Sequence, residues 1–112
     1  MTVEGNKIVS YESNKKVATI RINRADRLNA LNEDVIQGLN QAWREFENGD
    51  DLVAILCSAG EKAFSVGADV KNPPKEMWEG VPSIGAKVSK PVIAAVQGLS
   101  LIHISEPTRH SA

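Results

Sequence analysis

The chain has 112 residues, 42% hydrophobic and 24% charged, with 13 basic and 14 acidic side chains and a formal net charge of −1. That is one domain's worth of chain with a modest core. Its balanced, interspersed charges leave no electrostatic footprint for nucleic acid or an anionic membrane, so neither is expected as a partner. Cys57 is the single cysteine, which rules out an internal disulfide. Inside Val53-Ala54-Ile55-Leu56-Cys57 it reads as a buried small hydrophobe rather than a nucleophile.

Residues 1–7 contain no apolar h-region, and no apolar stretch approaches bilayer length, so a cytoplasmic location is the expectation. Residues 7–12 and 16–22 are strand-like and joined by Ser13-Asn14-Lys15, which has turn chemistry; together they predict a hairpin. Ala18, Ile20 and Ile22 form an apolar face opposite Val17, Thr19 and Arg21. The polar segment from Asn23 to Leu31 reads either as a solvated loop or, through Arg24 and Arg27, as a phosphate contact, because guanidinium matches phosphate oxygens bidentately.

Asn32 is a good N-cap, with Glu33 and Asp34 in the first turn where carboxylates favour the positive end of the helix dipole. A helix follows, with Val35, Ile36, Leu39, Ala42, Trp43 and Phe46 on one face and Gly49 available to end it. The aromatic-bearing stripe is a core face rather than a cofactor box. Residues 52–58 predict a buried strand. Beyond it, residues 72–76 are rich in breakers, residues 77–88 are expected to be irregular with a short helical piece at 84–88, and residues 90–98 read as a second buried strand opened by Pro91.

Between those strands stands Phe64-Ser65-Val66-Gly67-Ala68-Asp69-Val70. If Gly67 makes a bend and Ala68-Asp69 open a helical turn, the Ala68 amide is left without a partner in that turn and is free to meet an anion, as half of an oxyanion hole. The same residues also make an ordinary loop-to-helix junction with Asp69 as the cap. No GxGxxG, P-loop or internal repeat is visible, and no metal-ligand constellation is expected.

Three segments, VATIRINRADRLNALNEDVIQGLNQAW, KAFSVGADV and SKPVIAAVQGLSL, resemble in order and spacing the N-terminal part of the enoyl-CoA hydratase/isomerase (crotonase) superfamily. The resemblance implies an α/β fold, the crotonase-like (ClpP/crotonase) ββα spiral, truncated after roughly its first half, with residues 1–101 as the N-terminal part of the domain. It implies an acyl-CoA thioester as the ligand, coenzyme A entering as part of the substrate with no separate cofactor, and full-length relatives assembled as homotrimers or hexamers. Carried over residue by residue, Ala68 supplies one oxyanion amide. Arg24, Arg27 and Ala30 lie in the loop that meets coenzyme A, and Ala68, Asp69, Val70 and Lys71 line its adenine and pantetheine path.

The chemistry of such a site needs two amides. Hydrating a 2-enoyl thioester, or moving its double bond, places charge on the thioester oxygen as an enolate, and losing one fixed donor to that oxygen typically costs about 2.7–4 kcal/mol of barrier. The family supplies the second amide from a triple glycine and two glutamates as acid and base. Here Ile102-His103-Ile104 stands where the triple glycine is expected, and β-branched residues deny both positive φ and close backbone approach.

Glu106 falls at the first catalytic glutamate's place, but Pro107 disfavours the helix that should start there. His103 reads as a bystander. The abrupt LIHISEPTRHSA resembles a translated sequencing-adapter tail, so residues 102–112 are expected to be a non-family tail, disordered or artefactual. Two functions from different classes remain: an enoyl-CoA hydratase, with isomerase or other crotonase chemistry as its variant, and an inactive fragment that binds coenzyme A feebly. The residues leave open whether the chain is itself an enzyme.

Overall fold

The computed structural model describes residues 7–100, and for Leu99 and Ser100 the backbone only. Residues 102–112, with His103 and Glu106, lie outside the described part.

The hairpin forms as expected. Strands β1 (Val9–Asn14) and β2 (Val17–Ile22) pair antiparallel with Val9 opposite Ile22 and Asn14 opposite Val17. The turn itself is Lys15-Lys16, one residue later than the turn chemistry suggested, and both residues have positive φ, 54° and 70°. A two-residue connection with this geometry matches the right-handed twist of the strands it joins, which is why the backbone accepts two lysines in a region they disfavour.

Helix α1 (Glu33–Asn48) begins where the sequence places it, the Asn32 side chain accepting the Val35 N–H. All six apolar residues of the predicted face are buried. They cover Ala18, Ile20, Ile22, Ala54 and Leu56 of the sheet, which are also buried. Trp43 and Phe46 are wholly enclosed, and the Trp43 Nε1–H donates to the Gly80 carbonyl at 2.8 Å. Each aliphatic side chain sunk in this layer contributes roughly 1.5–3 kcal/mol of burial.

Strand β3 (Val53–Ser58) runs parallel to β2 after the α1 crossover, and β5 (Val92–Ala94) runs parallel to β3. The four-stranded order is β1-β2-β3-β5. Strand β4 (Ala63–Ser65) leaves this sheet and pairs in parallel with β6 (Leu99–Ser100).

Four expectations are corrected. Residues 84–88 hold no helix; the short helical piece is instead a 3-10 turn at Met77–Gly80, anchored to α1 through Asn40 and Trp43. The strand expected over residues 90–98 is only three residues long before the chain turns away. Nor is it deeply buried: Ile93 is 57% exposed, and among the described residues β5 pairs with β3 on one side only. Cys57 is half-buried, since it points to the sheet face opposite α1. Burial pushes its thiol pKa up, which leaves it a poor nucleophile. Fourth, the helical turn expected at Ala68-Asp69 is absent, and Ala68 forms an isolated bridge with Leu31 instead.

Candidate functional site

Two loops leave the carboxyl ends of β2 and β4 and meet beside the sheet, where α/β folds commonly place ligands. The first, residues 23–31, holds a 3-10 turn at Ala25–Arg27 and then two left-handed residues, Leu28 and Asn29, at φ 54° and 56°. Asparagine tolerates that conformation, and its side chain supplies what the loop lacks. The Nδ2 group of Asn29 donates to the Ala59 and Ala63 carbonyls at 2.8 and 3.1 Å, and its Oδ1 accepts the Arg24 N–H at 2.9 Å. Only 1% of Asn29 is exposed.

The second loop follows β4. Ser65 Oγ donates to the Asn29 carbonyl at 2.7 Å and accepts the Gly67 N–H at 3.1 Å. Gly67 has φ of +91°, the left-handed region that a side chain would strain. The bend expected at Gly67 is therefore present, but Ala68 and Asp69 do not open a helical turn. Ala68 instead forms an isolated parallel bridge with Leu31, in which the Leu31 N–H donates to the Gly67 carbonyl at 2.8 Å and the Asp69 N–H to the Leu31 carbonyl at 2.9 Å.

In a parallel pairing the residue flanked by these two bonds turns its own N–H away from the neighbouring strand. Among the described residues the Ala68 N–H has no hydrogen-bond partner. The free amide thus arises from strand-like pairing rather than from a helix start.

An open groove of about 430 Å³ runs along the junction. It brings together Arg24, Arg27, Ala30, Ala68, Asp69, Val70 and Lys71, the seven residues for which the family resemblance implies contact with coenzyme A. Ala68, Val70, Lys71 and Arg27 are exposed, Ala30 is buried and forms part of the floor. Arg24 Nη1 contacts Asp69 Oδ2 at 2.8 Å and the Ala30 carbonyl at 2.9 Å. Asp69 Oδ1 accepts the N–H groups of Lys71 and Asn72 at 2.9 and 3.2 Å. The Arg24 guanidinium first, then those two backbone donors, hold the Asp69 carboxyl below the usual carboxylate range. The side chains of Arg27 and Lys71 have no ion-pair or hydrogen-bond partner among the described residues.

Asn29 and Ser65 hold in place the two loops that line this groove and were not singled out in the sequence. Each is a polar residue set among apolar ones, in Leu28-Asn29-Ala30-Leu31 and Phe64-Ser65-Val66, and a polar side chain in such a run must find buried partners.

The enoyl-CoA hydratase/isomerase family matches residues 12–101, and the chain belongs to that family. It is 43% identical over 105 residues to the short-chain-enoyl-CoA hydratase of Clostridium acetobutylicum, covering 83% of this chain and 40% of that protein. It is 38% identical over 93 residues to the mitochondrial enoyl-CoA hydratase of Pongo abelii, covering 76% of this chain and 32% of that one. The crystal structure of a probable enoyl-CoA hydratase/isomerase from Mycobacterium abscessus superposes with a TM-score of 0.69 at 33% identity, over 82% of this chain and 38% of that one. The fold is accordingly crotonase-like, and the chain spans about 40% or less of the length of these relatives.

Proposed function

We propose that the chain carries the coenzyme A groove and the first oxyanion amide of an enoyl-CoA hydratase, acting on a 2-enoyl-CoA thioester. The supporting observation is the Ala68 N–H, unpartnered among the described residues and placed on a groove that also holds two uncommitted cations, Arg27 and Lys71. A thioester oxygen needs a fixed donor as it gains charge, and a nucleotide tail needs cations for its phosphates. Val70, 91% exposed at the same rim, offers an apolar surface to a pantetheine arm. Asp69 is ionised at neutral pH and paired with Arg24, so it acts here as a structural anion rather than a proton donor.

In this mechanism the acyl carbonyl accepts from Ala68 N–H, the enolate forms there, and carboxylates elsewhere deliver water and proton. Isomerase chemistry on the same scaffold is the nearest variant, because both reactions pass through the enolate. A cytoplasmic location, a part in fatty acid metabolism and assembly as trimers or hexamers go with the hydratase assignment. Ile93 and Val96, 57% and 53% exposed, are apolar surface that association would cover.

A second function is favoured by one specific observation. Ile102-His103-Ile104 stands in place of a triple glycine, so the 112 residues would bind an acyl-CoA without turning it over. Calorimetric titration with crotonyl-CoA and free coenzyme A, alongside hydration followed at the enoyl absorbance, separates the two. Saturable binding that coenzyme A competes away supports the groove assignment, and no binding of either ligand at millimolar concentration refutes it. Turnover abolished by Glu106→Gln selects the hydratase, whereas binding without turnover selects the inactive module.

A further inference from the structure

Arg24 and Asp69 stand 45 positions apart on the two loops, with their side chains 14% and 12% exposed and 2.8 Å between Nη1 and Oδ2. The same nitrogen donates to the Ala30 carbonyl at 2.9 Å. Both hydrogens of Nη1 are therefore in use, and a bidentate grip on phosphate through the two terminal nitrogens would require breaking the pair. Arg27, three residues on, is exposed, and its side chain has no partner among the described residues.

The pair sits where it bears most directly on Ala68. The bridge between the loops consists of Leu31 N–H to the Gly67 carbonyl and Asp69 N–H to the Leu31 carbonyl, the two bonds on either side of Ala68. With Val66 N–H to the Leu28 carbonyl at 3.2 Å, these are the backbone bonds between the two loops among the described residues, and so few bonds outside any continuing ladder are a weak fastening. Arg24 ties Ala30, which precedes Leu31, to Asp69, which follows Ala68, and so braces the bridge across both strands. Asp69 Oδ1, accepting from Lys71 and Asn72, fixes the far side of the same turn.

We infer that Arg24 is a positioning residue, a latch to Asp69 that holds the two loops so that the Ala68 N–H faces the groove, and that phosphate recognition falls to Arg27 and Lys71. This deepens the acyl-CoA assignment and rests on it for the ligand, while the latch itself concerns the free chain.

Two measurements test it. In the ligand-free chain, Arg24→Gln is expected to speed hydrogen exchange at the Leu31 and Asp69 amides by about tenfold, the effect of losing one charge-assisted bond. Exchange within β2 and β3 stays unchanged, Arg24→Lys recovers part of the protection, and Arg27→Gln has no effect. Unaltered exchange at Leu31 and Asp69 in Arg24→Gln would overturn the latch.

The second measurement compares acetyl-CoA with S-acetylpantetheine, which has the same thioester and arm without the nucleotide phosphates. Arg24→Gln is expected to weaken both by the same factor, about tenfold, and Arg27→Gln to weaken acetyl-CoA alone. A loss in Arg24→Gln confined to acetyl-CoA would make Arg24 a phosphate contact and sink the inference. If the wild-type chain binds neither ligand, the acyl-CoA assignment fails, and the exchange result then decides the latch without it.

Discussion

The Lys90 ammonium closes the carboxyl end of the helix that carries Phe46. Nζ donates to the carbonyls of Phe46, Gly49 and Asp51 at 2.8, 3.1 and 2.7 Å and lies 4.9 Å from the centre of the Phe46 ring. The last turn of α1 has no basic residue of its own, so the cation arrives from the segment just ahead of β5. Pro91, next in the chain, offers its carbonyl to the Ala54 N–H, so one dipeptide fastens β5 to both helix and sheet. Lys90→Met keeps the aliphatic stem and removes the charge. It is expected to cost about 1–2 kcal/mol, seen as a lower urea midpoint with an unchanged m-value. An unmoved midpoint would show the contact to be energetically idle.

The Lys15-Lys16 turn invites the opposite result. Each lysine sits at positive φ, where a non-glycine residue is disfavoured by roughly 1–2 kcal/mol. Lys16→Gly relieves that strain, and the Lys16 carbonyl that accepts the Leu52 N–H at 2.8 Å is retained. Because glycine also loosens the unfolded chain, the net gain is expected to be a few tenths to about 1 kcal/mol. Thermal denaturation followed by circular dichroism reads it directly, and a lowered melting temperature would contradict the turn geometry.

Asn29 is the residue whose loss the site is least able to absorb. Replacing it by alanine strands the Ala59 and Ala63 carbonyls and the Arg24 N–H, and leaves a Cβ residue at φ 56°. At about 1–3 kcal/mol per unsatisfied buried group, the total is expected to reach at least 3 kcal/mol. Asn29→Asp keeps the shape but turns a carboxylate oxygen toward two carbonyls, so it too is expected to be destabilised. Denaturant titration of both variants checks this, and a near-neutral Asn29→Asp would show that the Nδ2 bonds matter little.

Stability is expected to fall at both ends of the pH scale, for different groups. In the folded chain Glu33, Glu47, Asp51 and Asp69 are held below the ordinary carboxylate range. The first cause is, respectively, the Lys75 N–H, the Ser89 N–H, the Ser13 hydroxyl and the Arg24 guanidinium. Their contribution is complete above the unfolded value near pH 4 and disappears as pH drops through the lower folded values, since the unfolded chain then binds the extra protons.

Tyr11 behaves in the reverse sense. Burial first, then its hydrogen bond to Asp51 at 2.7 Å, raises the hydroxyl above its usual value. Its contribution is full below about pH 10 and is lost as pH rises beyond it. Unfolding free energy measured across pH should show a shallower acid limb in Asp51→Asn and a flatter alkaline limb in Tyr11→Phe. Identical profiles in wild type and variants would refute these couplings.

Much of the architecture was legible in residue order because it depends on neighbours a few positions apart. The spacing of Val35, Leu39, Trp43 and Phe46, the cap at Asn32 and the alternation through Ala18, Ile20 and Ile22 each act over one turn or one pleat, and the structure has them where local pattern put them. The groove residues were legible in another way, through three motifs in one family's order. What residue order could not supply was how Ala68 comes to have an amide with no partner among the described residues. That depends on Leu31, on Asn29 bridging to Ala59 and Ala63, and on Arg24 reaching Asp69, partners 30 to 45 positions away in the two side-chain cases. Likewise β5 has the composition of an interior strand, yet among the described residues the pairing of the sheet leaves it at an edge, with Ile93 57% exposed. Local propensity sets which elements form, whereas which polar groups remain free is fixed only when distant segments meet and satisfy one another's hydrogen bonds.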